Sequence, residues 1–273
     1  MDSFLNFFET MPIWMKAGWV FFCLAVFWIL EGYYALFVKK YRKWKHAKVN
    51  LLLLVLVMII NAVFGVLTLG IFVWLDTNQF GILHFFELPV WIELLMAILV
   101  LDLIAQYGVH YVLHKVPVLW RLHIVHHSDK HVDATTGTRH HPFDFLLRET
   151  FALLAVVIMG MPISFYFFYR ILSVLFTYFT HANIRMPLWL DKTLSYVIVT
   201  PNMHKFHHHY KLPWTDTNYG NMLSIWDRIF GTFIYGNVDD IQYGLDISDH
   251  TDDENFGVQL RIPFNRNVVS NKS

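Results

Sequence analysis

The chain holds 16 histidines in 273 residues, and most of them fall in three short groups. His110 and His114 are spaced HxxxH, and His123, His126 and His127 are spaced HxxHH. His204, His207 and His208 repeat HxxHH, with His209 directly after them. On a helix, positions i, i+3 and i+4 share a face. Each group can therefore turn two or three imidazoles toward one spot. Neutral imidazole is the commonest protein metal ligand, and it suits iron, zinc, copper and nickel. Eight convergent imidazoles exceed what one metal takes, so the spacing points to two metals. His181 ends an apolar stretch and is expected to re-emerge beside the groups as a further ligand. In His140-His141-Pro142, His141 is the better candidate for another. His209 would point off the shared face, and His131 follows a loop. His46, His84 and His250 read as ordinary surface or core residues.

The elements that must carry these groups are apolar. The chain is 56% hydrophobic, 18% aromatic and 15% charged, whereas soluble domains carry about 25% charged residues. A bilayer core needs about 20 apolar residues in a helix. Three stretches qualify, over about 12–37, 49–75 and 89–112. A fourth, over about 151–179, is too long for one straight span and is broken by Gly160-Met161-Pro162. Proline breaks or kinks a helix, so a hairpin is expected here, with Arg170 facing protein or snorkelling to the interface. The hairpin is also what a shared metal site requires, because an even number of crossings returns the second HxxHH group to the side of the first. Along the third span Asp102, Gln106, His110 and His114 recur every four residues. An ionisable residue inside a span is functional by default. Asp102 is therefore expected either to hold the outer N–H of a metal-bound imidazole and so orient it, or to act as a structural anchor.

The loop from Lys39 to Lys48 is dense in Lys and Arg, whereas the first ten residues and the loop over 76–88 have none. The positive-inside rule puts the basic loop, and with it the histidines, at the cytoplasmic face. The acidic N-terminus has no basic n-region, so the first stretch reads as a retained span. Lys+Arg and Asp+Glu are both 21, which leaves no basic excess for nucleic acid. The single cysteine, Cys23, excludes a disulfide scaffold. The expected fold class is all-α integral membrane: a transmembrane stem under a helical cytosolic cap that holds the dimetal site. Residues 1–100 are read as N-terminal spans and 101–236 as the catalytic domain with its membrane hairpin. Residues 237–273 are read as a polar, acidic C-terminal tail, its last residues solvated or disordered.

Several stretches carry a family resemblance: DLIAQYGVHYVLH, LWRLHIVHHS, TGTRHHP, FTHANI, TPNMHKFHHH and TNYGNMLSIWDRIFGT. From Asp102 to about Phe233 the chain resembles the fatty acid hydroxylase / sterol desaturase superfamily of membrane di-iron, histidine-box proteins. The resemblance implies two irons, O2 as co-substrate, and oxygen insertion or hydrogen removal at an unactivated C–H of a lipid. It carries the ligand role onto His110, His114, His123, His126, His127, His204, His207 and His208, and adds His181. Some hydroxylases of the family have HxxxH at that last point; here Thr177 stands four residues before His181. Asp227 reads as structural support for the cap.

The expected activity is a lipid hydroxylase (monooxygenase) acting on a fatty acyl, sterol or related lipid. A desaturase with the same centre is the alternative. Zinc binds imidazole as readily as iron does, so a zinc-binding membrane protein or a metal transporter is the competing class. No CxxC and no Gly-rich dinucleotide fingerprint is present. A separate donor, ferredoxin or cytochrome b5-type with its reductase, is expected to supply electrons. Phe165, Phe168 and Phe176 would line the lipid's path or pack helices, and packing is the better reading for each. A bacterial inner membrane is favoured over the endoplasmic reticulum.

Overall fold

The computed structural model describes residues 1–38, 41–246, 252–265 and 268. Among them the ordered elements are helices, and β pairing is confined to isolated bridges such as Ala35 with Ile184. The helices are α1 (Asp2–Glu9), α2 (Ile13–Tyr34) and α3 (Lys43–Asn78). Then come α4 (Val90–Lys115), α5 (Pro117–His127), α6 (Pro142–Met159) and α7 (Ile163–His181). The shorter α8 (Leu188–Leu194), α9 (Pro201–His207), α10 (Ile225–Ile229) and α11 (Phe256–Arg261) complete the chain.

Four helical segments are long and apolar enough to cross a membrane: Ile13–Tyr34, Lys43–Phe85, Val90–Lys115 and Ile163–His181. The two arms of the expected hairpin are present as α6 and α7, but only α7 is apolar enough to cross a membrane, because α6 carries Asp144, Arg148 and Glu149. α6 ends on Gly160 in the left-handed region, at φ 66°, and α7 begins at Ile163. Glu149 of α6 meets Arg170 Nη1 of α7 at 2.6 Å and accepts from the Tyr166 hydroxyl at 3.2 Å. Arg170 thus faces protein. α6 starts and α7 ends at the same end of the stem, so His141 and His181 lie at one level.

Small residues let these helices approach closely. Ala97 and Ala105 of α4 and Ala152 and Ala155 of α6 are buried in one core with Phe165 and Tyr169 of α7. Phe165 is therefore a packing residue. Phe168 packs against Phe4 and Phe8 of α1, and Phe176 borders the same core. α4 carries a π-helical segment, Leu103–Gly108, between Asp102 and His110. Such insertions change which way the following side chains point and are frequent at functional sites. Gly108 suits it, because a Cβ there would come to 3.0 Å from the Leu103 carbonyl oxygen.

Within the polar segment after Asn237, residues 238–246, 252–265 and 268 are described and part of them is docked; the last residues, expected to be solvated, lie outside the described residues. Ile262 and Val268 join Trp120, Ile124 and Val125 of α5 in a core. Arg121 donates to the carbonyls of Pro263 and Asn265, and Ser128 to Gln259 Oε1. The acidic composition hides these few apolar anchors, which a composition argument averages away.

The hairpin turn is tight. A Cβ on Gly160 would fall 2.1 Å from the Phe80 carbonyl oxygen, whereas one on Gly65 would meet nothing within 4 Å. Gly160→Ala is expected to cost about 1–3 kcal/mol or more, from the positive φ and the clash together. Gly65→Ala should be near neutral. Thermal unfolding of both variants in detergent checks this.

Candidate metal centre

The nine histidines expected as ligands come together in two groups. His110, His114, His123, His127 and His207 offer ring nitrogens all within 4.8 Å of one another, and so do His126, His181, His204 and His208. All nine are buried. Each HxxHH box is split between the groups. His123 and His127 of α5 belong to the first and His126 to the second. His204 and His208 belong to the second and His207 to the first. The rings of His127 and His208 lie 4.9 Å apart where the groups meet.

The outer nitrogen of most rings rests on an acceptor. His110 Nδ1 is 2.8 Å from the Tyr219 carbonyl and His207 Nδ1 2.7 Å from that of Thr217. His181 Nδ1 lies 2.7 Å from the Thr177 carbonyl, and His126 Nδ1 3.3 Å from that of Arg139. His123 Nδ1 meets Asp144 Oδ2 at 2.8 Å, and His114 Nδ1 meets Asp216 Oδ1 at 3.3 Å. Carbonyls and carboxylates only accept, so each of these Nδ1 atoms carries the proton. In a neutral ring Nε2 then holds the lone pair, and these atoms face inward. His110 and His123 oppose Nε2 to Nε2 at 3.0 Å. His181 opposes His126 at 3.1 Å and His204 at 3.1 Å. Where two such lone pairs face each other at hydrogen-bond distance with no proton between them, a cation is the group that fits.

Protonating the rings instead is disfavoured by burial. Desolvation lowers the His123 pKa to about 4, although Asp144 pulls it upward. Burial, then neighbouring imidazoles, holds His126, His204 and His208 well below the usual histidine range. His204 Nδ1 and both ring nitrogens of His208 are buried without a hydrogen-bond partner. Such atoms are costly unless something binds them.

The supporting frame comes from distant parts of the chain. Arg139 is fully buried and donates to the Val125 carbonyl, Asn50 Oδ1, Ser128 Oγ and the Asp253 carbonyl. It thereby fixes the carbonyl that holds His126. Asp227 accepts from Tyr219 N, Gly220 N and Thr232 Oγ1, which sets the carbonyl that holds His110. Asp102 accepts from Tyr169, Trp226 Nε1 and Leu223 N and so ties α4 to α7 and to the start of α10. The carboxylates bonded to imidazoles within the two groups are Asp144 and Asp216. Asp144 was visible as an acidic residue in the first turn after His140-His141-Pro142. Asp216 carries no local signal, since it reaches His114 across 102 residues of sequence.

Several of the other described histidines have other partners, and His250 lies outside the described residues. His141 stands outside both groups and caps α6, with Nδ1 accepting from Phe143 N at 3.2 Å. His209 accepts from Gln242 N, and His131 stacks on Tyr41. His46 is buried between Asp129 and Asp133. A third group, His123, His140 and Asp144, also has ligand-like spacing. Arg148 occupies its edge, 2.9 Å from Asp144 and 3.5 Å from His123 Nδ1, and already supplies the positive charge there.

A helical membrane stem ending in two abutting polyhistidine centres defines a class of protein. The sequence profile of the fatty acid hydroxylase family matches residues 94–232, just over half of the chain, and the chain belongs to that family. It is similar to the ornithine lipid hydroxylase OlsE of Rhizobium tropici, at 30% identity over 133 residues, 48% of this chain and 39% of that protein. It is similar to alkylglycerol monooxygenase of Danio rerio, at 32% over 166 residues, 59% of this chain and 35% of that protein. The human alkylglycerol monooxygenase matches at 28% over 139 residues, 51% of this chain and 30% of that protein. The chain thus spans about a third of the length of these curated relatives. No solved structure matches it.

Asp227→Ala would strand three donors around Tyr219. The expected loss is about 3 kcal/mol, since each stranded buried group costs roughly 1–3 kcal/mol. Chemical denaturation of the metal-free protein measures it without reference to activity.

Proposed function

We propose that the chain is a membrane-bound di-iron oxygenase that hydroxylates a C–H bond of a lipid at the cytoplasmic face. The observation that carries this reading is one opposed pair of Nε2 lone pairs in each group, His110 with His123 at 3.0 Å and His126 with His181 at 3.1 Å. The donor set is all imidazole, which suits iron and zinc alike. Five ligands would come from the first group and four from the second, with Thr177 standing where a further one is expected from the family. Bound iron would supply the redox chemistry that activates O2 toward an alkyl C–H, which acid–base groups alone cannot attack. Zinc has no redox chemistry, so the relatives' printed names, hydroxylase and monooxygenase, favour iron. The same names favour hydroxylation over desaturation.

The balance is simple. One oxygen atom of O2 enters the C–H bond and the other leaves as water, at the cost of two electrons and two protons. The chain has one cysteine and no dinucleotide fingerprint, so a separate ferredoxin or cytochrome b5-type donor with its reductase supplies the electrons. The chain's own residues hold the ligands and exclude water. Asp144 keeps the Nδ1 proton on His123, Asp216 does the same for His114, and backbone carbonyls do it for His110, His126, His181 and His207. Outer partners of this kind are worth about 10–100-fold in metal affinity. The cytoplasmic placement rests on the Lys/Arg loop that leads into α3. A transporter is disfavoured, because its ligands would lie along a path near the midplane, whereas these cluster at one end of the stem.

Two measurements test this. Iron content and lipid-dependent O2 uptake are compared in wild type, His207→Ala and Asp144→Asn. Wild type should hold two irons. His207→Ala should lose metal and nearly all O2 uptake, and Asp144→Asn should bind iron about 10–100-fold more weakly. Mass spectrometry should find a product heavier by one oxygen atom; loss of two hydrogens instead would make the protein a desaturase. For topology, single cysteines at Lys43, Asn237 and Glu87 are introduced in a Cys23→Ala background. Lys43 and Asn237 should label from the cytoplasmic side and Glu87 from the other. Opposite labelling of Lys43 and Asn237 would discard the shared site.

A further inference from the structure

A cavity of about 180 Å³ lies against the histidine centre and runs down into the stem. Its wall is amphipathic. Val20 of α2, Leu54, Val57 and Met58 of α3 and Val174 of α7 are apolar, with Asn61 the polar residue of α3 among them. His140, Arg148, Gln106, Ser173 and Thr177 are polar, with Phe145 and Ala105 between them, and Glu149 and Arg170 extend the polar part. Arg170 lies eleven residues before His181 on α7, about 16 Å along the helix.

The polar side is built, not incidental. Asp144 Oδ2 accepts from His140 Nδ1 at 3.3 Å and Oδ1 from Arg148 Nε at 2.9 Å. With Nδ1 spent on Asp144, His140 keeps Nε2 as an acceptor. Gln106 donates to Ser173 Oγ at 3.0 Å, and Thr177 to Asn221 Oδ1 at 3.2 Å. The His140 ring stacks on His126 at 4.8 Å and 11°, so whatever bonds to His140 lies within about one ring width of the second centre. Gly137 forms the neck. A Cβ there would meet Thr177 Cγ2 at 3.0 Å and His181 Nδ1 at 3.5 Å.

Beyond their bonds to Asp144, Arg148 keeps N–H donors and His140 keeps Nε2. A plain alkyl chain set against these groups would strip their water without offering a partner. Val20 of α2 and Met58 of α3 are only partly buried, which leaves a way between them for the rest of a lipid.

We propose that the cavity binds the junction between the polar head and the alkyl chain of a lipid. His140 and Arg148 take a hydroxyl, ester or amide group, and Val20, Leu54 and Val57 take the first methylenes. The carbon presented to the centre is then within a few bonds of the polar group, not at mid-chain or at the chain end. The proposal rests on the hydroxylase reading only for what happens to that carbon.

The binding arm uses the metal-free full chain in detergent, with monoolein and 1-octadecene as probes of matched chain length and native mass spectrometry as the readout. Wild type should prefer monoolein by at least about tenfold, as expected for one neutral hydrogen bond and one from a charged guanidinium. His140→Phe, which keeps the stack on His126, and Arg148→Met should each lose most of that preference. Val57→Trp, which fills the apolar side, should bind neither probe. An unchanged preference in both polar-side variants, or full binding in Val57→Trp, overturns the proposal. The second arm gives the iron-loaded protein O2, reductant and extracted membrane lipid, and tandem mass spectrometry locates the new oxygen. Oxygen on or beside the head group is expected. Oxygen at mid-chain or at the chain end refutes the proposal and leaves the hydroxylase reading intact. No oxygenated lipid at all removes the hydroxylase reading, and the binding arm still decides the cavity.

Discussion

The structure depends on one constraint: the protons of its central imidazoles are held on the outside. Carbonyls of Thr177, Arg139, Thr217 and Tyr219, with the carboxylates of Asp144 and Asp216, take the Nδ1 protons of six rings. The Nε2 lone pairs must then face one another in a space that burial keeps free of protons. No arrangement of neutral imidazoles alone satisfies that geometry. Around it the rest of the chain is scaffolding. Arg139 fixes the carbonyl behind His126, Asp227 the one behind His110, and Asp102 ties together the helices that present them.

The same constraint explains why the stem has its shape. The grouped histidines come from the end of α7, from the end of α4, and from α5, α9 and the residue that follows α9. All must reach one level of the membrane. Gly160 turns the hairpin so that α7 brings His181 back. The π segment of α4 separates Asp102, which bonds to Tyr169 and Trp226, from His110, which faces the centre. An unbroken four-residue stripe would have pointed them the same way. The C-terminal segment closes over α5 and anchors through Arg121 and Ser128.

The polar network does not stop at the ligands. Asp144 joins His123, inside the first group, to His140 and Arg148, which line the cavity. A single carboxylate thus links the wall that would meet a lipid to a ring of the centre. The charged residues of α6, which make it the least membrane-like of the long helices, are the ones that build this link and the pairing with Arg170.

The sequence by itself determined which histidines could gather, because periodicity at i, i+3 and i+4 and its repetition are local properties of a helix. It also determined the long apolar helices and the break at Gly160-Met161-Pro162, since apolar length and a turn are likewise local. Tertiary structure alone decided which histidine joins which centre. Adjacent rings such as His126 and His127 diverge by about 100° on a helix and fall to different groups. It alone assigned Asp216 to His114, gave His141 a capping role, and docked part of a segment whose composition is polar and acidic. These outcomes depend on contacts between residues far apart in sequence, and no spacing rule encodes a partner a hundred residues away.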